Sequence, residues 1–316
     1  MKLGYCDILT EEQSKKVVQS VDKLEKLWIR RAPVPMDFFT VGAVTYMEGV
    51  TSIGKYHKHR EVLNPVLKKH FGWVYDILCE KFSELLGDPV ELDDKLAYPG
   101  FHVFGHKPGQ VSAPECADRF TKPLASLHVD IQYRDHMPIW KTYDEYDLEE
   151  PFSFTLPLEL PTHGGGLFVW DWMNMDQEMI AKFNFQSNSD KDATLKDFMT
   201  HAEDVDFKNR PEFYESNPAL QHTLERVTTT ADEFIRGVGD PRESKEFWDN
   251  GSIPMKYDPI YDTKPMVMPY TIGESCYHTG HVLHQIVPGY KLTTDDRRVT
   301  LQGHAVRCDG IWRLYF

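Results

Sequence analysis

From Arg298 to Ala305 two kinds of side chain alternate. Arg298, Thr300, Gln302 and His304 fall on one side; Val299, Leu301 and Ala305 fall on the other. Successive side chains of a β-strand point to opposite faces, so this run reads as an amphipathic strand. Arg297 would share the apolar face and is expected at the strand's entrance. A face of Arg, Thr, Gln and His has two possible destinations. It turns to water, as one side of an antiparallel sheet often does, or it lines a small barrel around a charged ligand. A second apolar run lies just upstream. Val282, Ile286 and Val287 surround His284, and Pro288-Gly289 ends the run. His278 and His281 lie in the same stretch. Read as one extended run, it puts His278 about 20 Å from His284. His281 would face away from His284. A helical row of His278, His281 and His284 is opposed by Gly280 and by the β-branched residues after Leu283.

A decision between water and ligand needs a second site, and Leu127–Tyr133 provides one. As a strand it points His128, Asp130 and Gln132 one way and Val129, Ile131 and Tyr133 the other. A His and an Asp two apart on one face can both reach one ion. His284 would complete a two-His-one-carboxylate face, which leaves positions open and suits non-haem Fe(II). His-x-Asp alone is weak: with 14 His in the chain, chance supplies roughly one such triplet. Its weight comes from order and context, including Arg298-Val299-Thr300 fourteen residues after His284.

That order resembles the Fe(II)- and 2-oxoglutarate-dependent oxygenase superfamily, with its His-x-Asp, distant His and Arg-x-Ser/Thr on the final barrel strand. The resemblance covers residues from about 98 to 307, interrupted by one long insertion. It implies a mainly β fold with flanking helices, a double-stranded β-helix (jelly-roll, cupin-like) barrel. It implies that His128, Asp130 and His284 hold Fe(II), and that Arg298 and Thr300 bind the distal carboxylate of 2-oxoglutarate, because a guanidinium matches a carboxylate through two parallel hydrogen bonds. The implied reaction consumes O2, releases succinate and CO2, and oxidises an unactivated C–H bond. Hydroxylation is the default outcome; desaturation and oxidative cyclisation are variants. Asp130 stands where the family's halogenases have Gly or Ala, so no halogenation is expected.

Composition narrows the partners. The net charge of -14 and pI near 5.4 argue against a broad nucleic-acid-binding surface. No run approaches 18 apolar residues and no secretion signal is legible, so neither a membrane span nor export is expected. Cys6, Cys79, Cys116, Cys276 and Cys308 are scattered without metal-finger or redox spacing. They read as reduced thiols, and the chain as cytoplasmic.

The rest reads as one domain of 316 residues. Residues 1–95 are helical support, 96–172 and 265–307 carry the barrel strands, and 173–264 are an insert over the site. A capping box, Thr10 with Gln13, starts a helix that ends near Arg30-Arg31. Residues 33–58 read as loop with short extended pieces. Asn64 as cap and Pro65 in the first turn start a second helix, striped by Leu67, Phe71, Val74, Leu78, Phe82 and Leu85 and stopped by Gly87. Both helices are expected to pack outside a sheet. Tyr98–Phe104, residues 152–159 and Leu167–Trp170 read as strands, and Pro157 marks an edge or bulge. The insert is too long for a simple loop. In the resembling superfamily such a segment covers the substrate pocket, and this one carries Arg210, Arg226, Arg236 and Arg242. They fit a small, carboxylate or amino-acid-derived metabolite as substrate. The C-terminal Gly310–Phe316 tail should dock on the core or on a partner subunit.

His102, Ser126, Gln132, Trp170 and His304 are further lumen candidates, each of which also reads as an ordinary structural residue. The competing functions are a protein-residue hydroxylase, a non-catalytic metal-binding barrel, and a zinc hydrolase that has no need of Arg298. His163-Gly164-Gly165-Gly166 resembles an esterase oxyanion loop, but the chain lacks the Gly-x-Ser-x-Gly elbow such an enzyme needs.

Overall fold

A computed structural model describes residues 3–30, 38–43, 50–105, 129–130, 132–162, 165–174, 266–287 and 295–316. His128, Ser126, Cys116, His163 and the expected insert, apart from its first two residues, lie outside this set.

The N-terminal third lays two helices against a sheet. β1 (Leu3–Asp7) leads into α1 (Glu11–Lys23). Its capping box forms as the sequence predicts: Gln13 N–H donates to the Thr10 side chain, and Thr10 N–H donates to the Gln13 side chain. β2 (Ile29–Arg30) and β3 (Phe38–Val41) follow. α2 then runs from Val50 to Leu86 with Pro65 inside it. The expected start at Asn64 is therefore wrong by about four turns. Proline lacks only one helix hydrogen bond and is tolerated when packing holds the segment. Asn64 does not cap. Its Nδ2 donates to the Leu96 carbonyl at 2.8 Å and its Oδ1 accepts from Tyr98 N–H at 3.0 Å, pinning the chain before the first barrel strand.

β4 (Val90–Leu92) and β5 (Gly100–Phe104) come next. Gln132–His136 is a 3-10 turn and Met137–Trp140 is a short helix, α3. Of the strand expected over Leu127–Tyr133, the described residues show none: Val129 and Asp130 belong to no regular element, and Gln132 and Tyr133 lie in the 3-10 turn. The remaining strands are β6 (Tyr146–Glu159), β7 (Gly166–Asn174), β8 (Met266–Pro269), β9 (Glu274–Thr279), β10 (Val282–Ile286), β11 (Arg298–Cys308) and β12 (Ile311–Tyr315).

Among the described residues the strands make two barrel sheets, antiparallel except where β4 pairs parallel with β12. The larger has the order β1-β9-β6-β11-β5-β3-β2, with β12 also paired to β11 and β4 paired to β12; the smaller is β10-β7-β8. The chain passes from one sheet to the other at the corners β6–β7, β8–β9, β9–β10 and β10–β11. With β11 returning between β5 and β6, this is the winding of a jelly roll. Pro157 sits at a register shift in the middle of the larger sheet, between β6 and β11, so it marks a bulge and not an edge.

The larger sheet has two covered faces, which settles where its polar face goes. Val299, Leu301 and Ala305 share the outer face with Phe101, Val103, Phe152, Phe154 and Leu156. They pack against Val17 and Val21 of α1 and Leu67, Phe71, Val74, Leu78 and Phe82 of α2. The inner face meets the smaller sheet, where Leu3 and Cys276 pack with Leu167, Val169, Met268 and Val282. The polar side chains of β11 therefore line a lumen. Arg297 stands just before β11, where the pattern predicts it. Its partners are Asp22 of α1 at 2.8 Å and Glu159 of β6 at 2.7 Å, so it staples the helix to the mouth of the sheet. The C-terminal tail docks on the core: Phe316 is buried, its N–H donates to Ala97, and its ring fills the space that a side chain at Gly100 would take.

No helix among the described residues is long and apolar enough to cross a membrane. The four described cysteines, Cys6, Cys79, Cys276 and Cys308, form no disulfide.

Candidate metal centre

Cross-strand pairing sorts the lumen into rows, since directly opposed residues share a face. One row is His278 of β9, Ser153 of β6 and His304 of β11. The next is Cys276, Thr155 and Gln302; then come Pro157, Thr300 and His102; the last holds Arg298 beside Phe104. In the smaller sheet His284 pairs with Val169 and faces the same lumen. Trp170 pairs with Leu283 on the opposite face, away from the site.

Thr279-Gly280-His281 is the corner at which the chain leaves one sheet for the other. The stretch read above as one extended run is two strands in facing sheets. His278 and His284 consequently lie across from each other, with ring centroids 4.3 Å apart. Asp130 is fixed at the same corner. Its N–H donates to the Gly280 carbonyl at 2.7 Å, and Gly280 N–H donates to Pro151 at 2.7 Å.

Asp130, His278 and His284 are all buried, and one ligand atom from each lies within 4.8 Å of the others. The Asp130 Oδ2 is 3.8 Å from His278 Nε2 and 3.7 Å from His284 Nε2. These spans are too long for hydrogen bonds. They fall inside the ~4.2 Å that two ligands on one ion can span at about 2.1 Å each. Each imidazole is oriented by backbone. His278 Nδ1 lies 2.9 Å from the Thr279 carbonyl and His284 Nδ1 lies 2.9 Å from the Val282 carbonyl. A carbonyl only accepts, so Nδ1 carries the hydrogen and the Nε2 lone pair is turned inward. Metal-binding histidines are commonly set this way. Gln132 Nε2 donates to Asp130 Oδ1 at 3.2 Å. A buried carboxylate facing two imidazole lone pairs is chemically a cation site.

His304 also approaches, with Nδ1 3.8 Å from Asp130 Oδ2, but that nitrogen is 3.0 Å from the Ser153 hydroxyl. His281 turns away, as its register predicts, and its Nε2 shares a 2.9 Å hydrogen bond with the Tyr133 hydroxyl.

Arg298 lies in the same lumen. It is buried, its guanidinium stacks 4.0 Å from the Phe104 ring, and Nε and Nη2 have no hydrogen-bond partner among the described residues. The Thr300 hydroxyl, on the next row, also lacks one. Burial pulls the guanidinium down to about 10. Burial raises the pKa of the nearby Tyr270 hydroxyl, which shares a hydrogen bond with Thr155. A buried cation with two unmet donors is an expensive arrangement unless an anion docks there.

Asp130, His284, Arg298 and Thr300 of the sequence-derived set thus face one lumen. Along an extended strand His278 would lie about 20 Å from His284; the Thr279-Gly280-His281 corner folds that distance back and sets the two rings opposite each other across the lumen.

No family model matches the chain, and no curated protein sequence matches it. Solved structures do resemble it at low identity. One is an N-substituted L-amino acid dioxygenase in complex with alpha-ketoglutarate from Burkholderia ambifaria AMMD, 11% identical over 99% of this chain and 85% of that one, with TM-score 0.40. A second is the non-heme alpha-ketoglutarate-dependent epimerase SnoN from nogalamycin biosynthesis, 10% identical over 99% and 82%, with TM-score 0.33. A third is EvdO2 from Micromonospora carbonacea var. aurantiaca complexed with 2-oxoglutarate, 13% identical over 96% and 86%, with TM-score 0.31. Likenesses at this level decide neither fold nor chemistry, which rest on the strand order and the side chains.

Proposed function

We propose that this chain is an Fe(II)- and 2-oxoglutarate-dependent oxygenase. Asp130 and His284 supply two protein ligands to the metal, and an imidazole supplies the third: His128 by the His-x-Asp spacing, or His278 by position. Bound Fe(II) with 2-oxoglutarate and O2 supplies the oxidising power, releasing succinate and CO2. The chain's own residues do the rest. Arg298 receives the far carboxylate of the diacid through its unmet donors, and Thr300 adds a hydroxyl to the same oxygens. Phe104 holds the guanidinium flat from below. The Thr279 and Val282 carbonyls keep both imidazoles in one tautomer. The apolar lining from Leu167, Val169 and Met268 excludes water, which strengthens the ion pair at Arg298.

The observation that carries this reading is the pairing of a buried cation-binding set with a buried guanidinium in one lumen. A zinc hydrolase has no use for the second, and a passive metal-binding barrel has no use for its unmet donors. The substrate is a small, carboxylate or amino-acid-derived metabolite, and hydroxylation is the default outcome. The insert arginines Arg210, Arg226, Arg236 and Arg242 are the sequence support for that substrate class. The test is anaerobic addition of Fe(II) and then 2-oxoglutarate. A visible charge-transfer band that Arg298→Ala removes is expected, followed by succinate on admitting O2. Tight metal binding with no band and no succinate would refute the assignment.

A further inference from the structure

We propose that the outward face of α2 docks a second copy of this chain, helix against helix and antiparallel, to make a twofold dimer. A helix laid on a sheet needs one apolar stripe, and α2 has it in Leu67, Phe71, Val74, Leu78 and Phe82, buried against the barrel. At about 3.6 residues per turn a second apolar stripe falls on the opposite side. Val62 is 64% exposed and Trp73 is 40% exposed. Val66 and Ile77 are half-buried and reach the core from the edge of the same stripe. Single exposed apolar residues are ordinary. These four instead recur at helical steps along about 22 Å of one helix, as the contact face of a partner does.

The charges on that face select the occupant. Lys58 and Lys69 are exposed toward its N-terminal end, and Asp76, Glu80 and Glu84 toward its C-terminal end. Glu84 is 3.0 Å from Lys81 of its own helix, an exposed contact that leaves the carboxylate available. A parallel copy would set Lys58 on Lys58 and Glu80 on Glu80. An antiparallel copy, turned about an axis near residue 71, sets Lys58 opposite Glu84 of the other chain. Lys69 then lies beside Trp73 and Asp76 of the other chain, where an ammonium is favoured by both the ring face and the carboxylate. The twofold axis makes every such contact twice. A membrane surface is a poorer match, because three carboxylates would face anionic headgroups. The stripe is one helix wide, so the dimer belongs among small, reversible interfaces.

The experiment is sedimentation equilibrium of the full chain at low salt, up to about 100 μM. The mass is expected to rise with concentration from 36.7 kDa toward twice that value. Trp73→Ser should weaken association by about 100-fold or more, since a large aromatic anchor is lost at two symmetric places. Lys58→Glu and Glu84→Lys should each weaken it by about tenfold, and the double variant should return to within about 3-fold of wild type. All three side chains are exposed, and circular dichroism checks that the variants fold. Wild type that keeps the mass of one chain throughout overturns the inference and gives the face to a different protein. A dimer that Trp73→Ser leaves unchanged overturns it too, because association then uses another surface. A dimer that the charge exchange does not restore overturns the antiparallel arrangement. Should a variant not fold, carbodiimide coupling of the wild type decides. Lys58 and Glu84 lie about 39 Å apart along one helix, so an amide between them joins two copies. Its absence from the coupled dimer overturns the inference.

Discussion

Replacing Gly280 by alanine tests whether the sheet-to-sheet corner sets the metal site. A Cβ built at Gly280 would lie 2.5 Å from the Asp130 carbonyl oxygen and 3.1 Å from Pro151 Cγ. A carbon and an oxygen in contact need about 3.3 Å, so one of the two backbones must retreat by roughly 0.8 Å. Gly280 is held to Pro151 and Asp130 is held to Gly280, each by a 2.7 Å hydrogen bond, so the retreat falls on both. Ligand positions around a metal tolerate only about 0.2 Å. The displacement is about four times that tolerance, and still about twice it if the side chain absorbs half. The expected outcome is a 10–100-fold loss of Co(II) affinity, about 1.4–2.7 kcal/mol, measured by anaerobic titration. Gly280 is outside the left-handed φ region, so alanine suits its backbone and the loss reports the steric push alone. Gly72 in α2, with nothing within 4 Å of its would-be Cβ, is the control. Gly72→Ala should leave metal binding intact and add up to about 1 kcal/mol of stability. A folded Gly280→Ala protein with wild-type Co(II) affinity would refute the claim that this corner positions Asp130.

Arg298→Met should stabilise the ligand-free protein by about 1–3 kcal/mol, read as a higher melting temperature, since a buried cation with unmet donors is replaced by an apolar side chain. The same change should weaken 2-oxoglutarate binding by about 100-fold or more, read by titration of the Co(II)-loaded protein. Asn64→Ala removes both hydrogen bonds to the 96–98 backbone and should destabilise by about 2 kcal/mol, a fall of several degrees in a thermal melt. His136 is buried among Tyr56, Trp140 and Tyr315, and burial pulls its pKa from 6.5 down to about 3. The unfolded chain takes up that proton below its ordinary pKa and the folded chain refuses it until near the lower one. Stability should therefore fall as pH drops through this window, by about 2 kcal/mol at pH 5. His136→Phe should remove that share of the acid slope in melts run from pH 7 to 5.

Much of this molecule is written in local pattern. Alternation from Arg298 to Ala305 specifies a strand with one apolar face, because side-chain direction in a strand depends only on parity. The stripe from Leu67 to Leu85 specifies a helix that must be covered, and Thr10 with Gln13 specifies where another begins. The period-two runs specify strands, and the order His-x-Asp, distant His, Arg-x-Thr, through its resemblance to a known superfamily, is what implies a jelly roll with Asp130, His284, Arg298 and Thr300 in a common lumen. Tertiary structure decided what pattern leaves open. Asn64 and Pro65 start a helix by local rules, yet both lie inside α2, where packing on the barrel holds them. Gln132 continues a strand by parity, yet the chain coils into a 3-10 turn there. Only the turn at Gly280, which moves the chain from one sheet to the other, brings His278 opposite His284. Distance along a chain is a property of sequence, but distance across a lumen depends on which sheet each strand joins, and that choice is made by burial of whole faces and not by any residue in the turn.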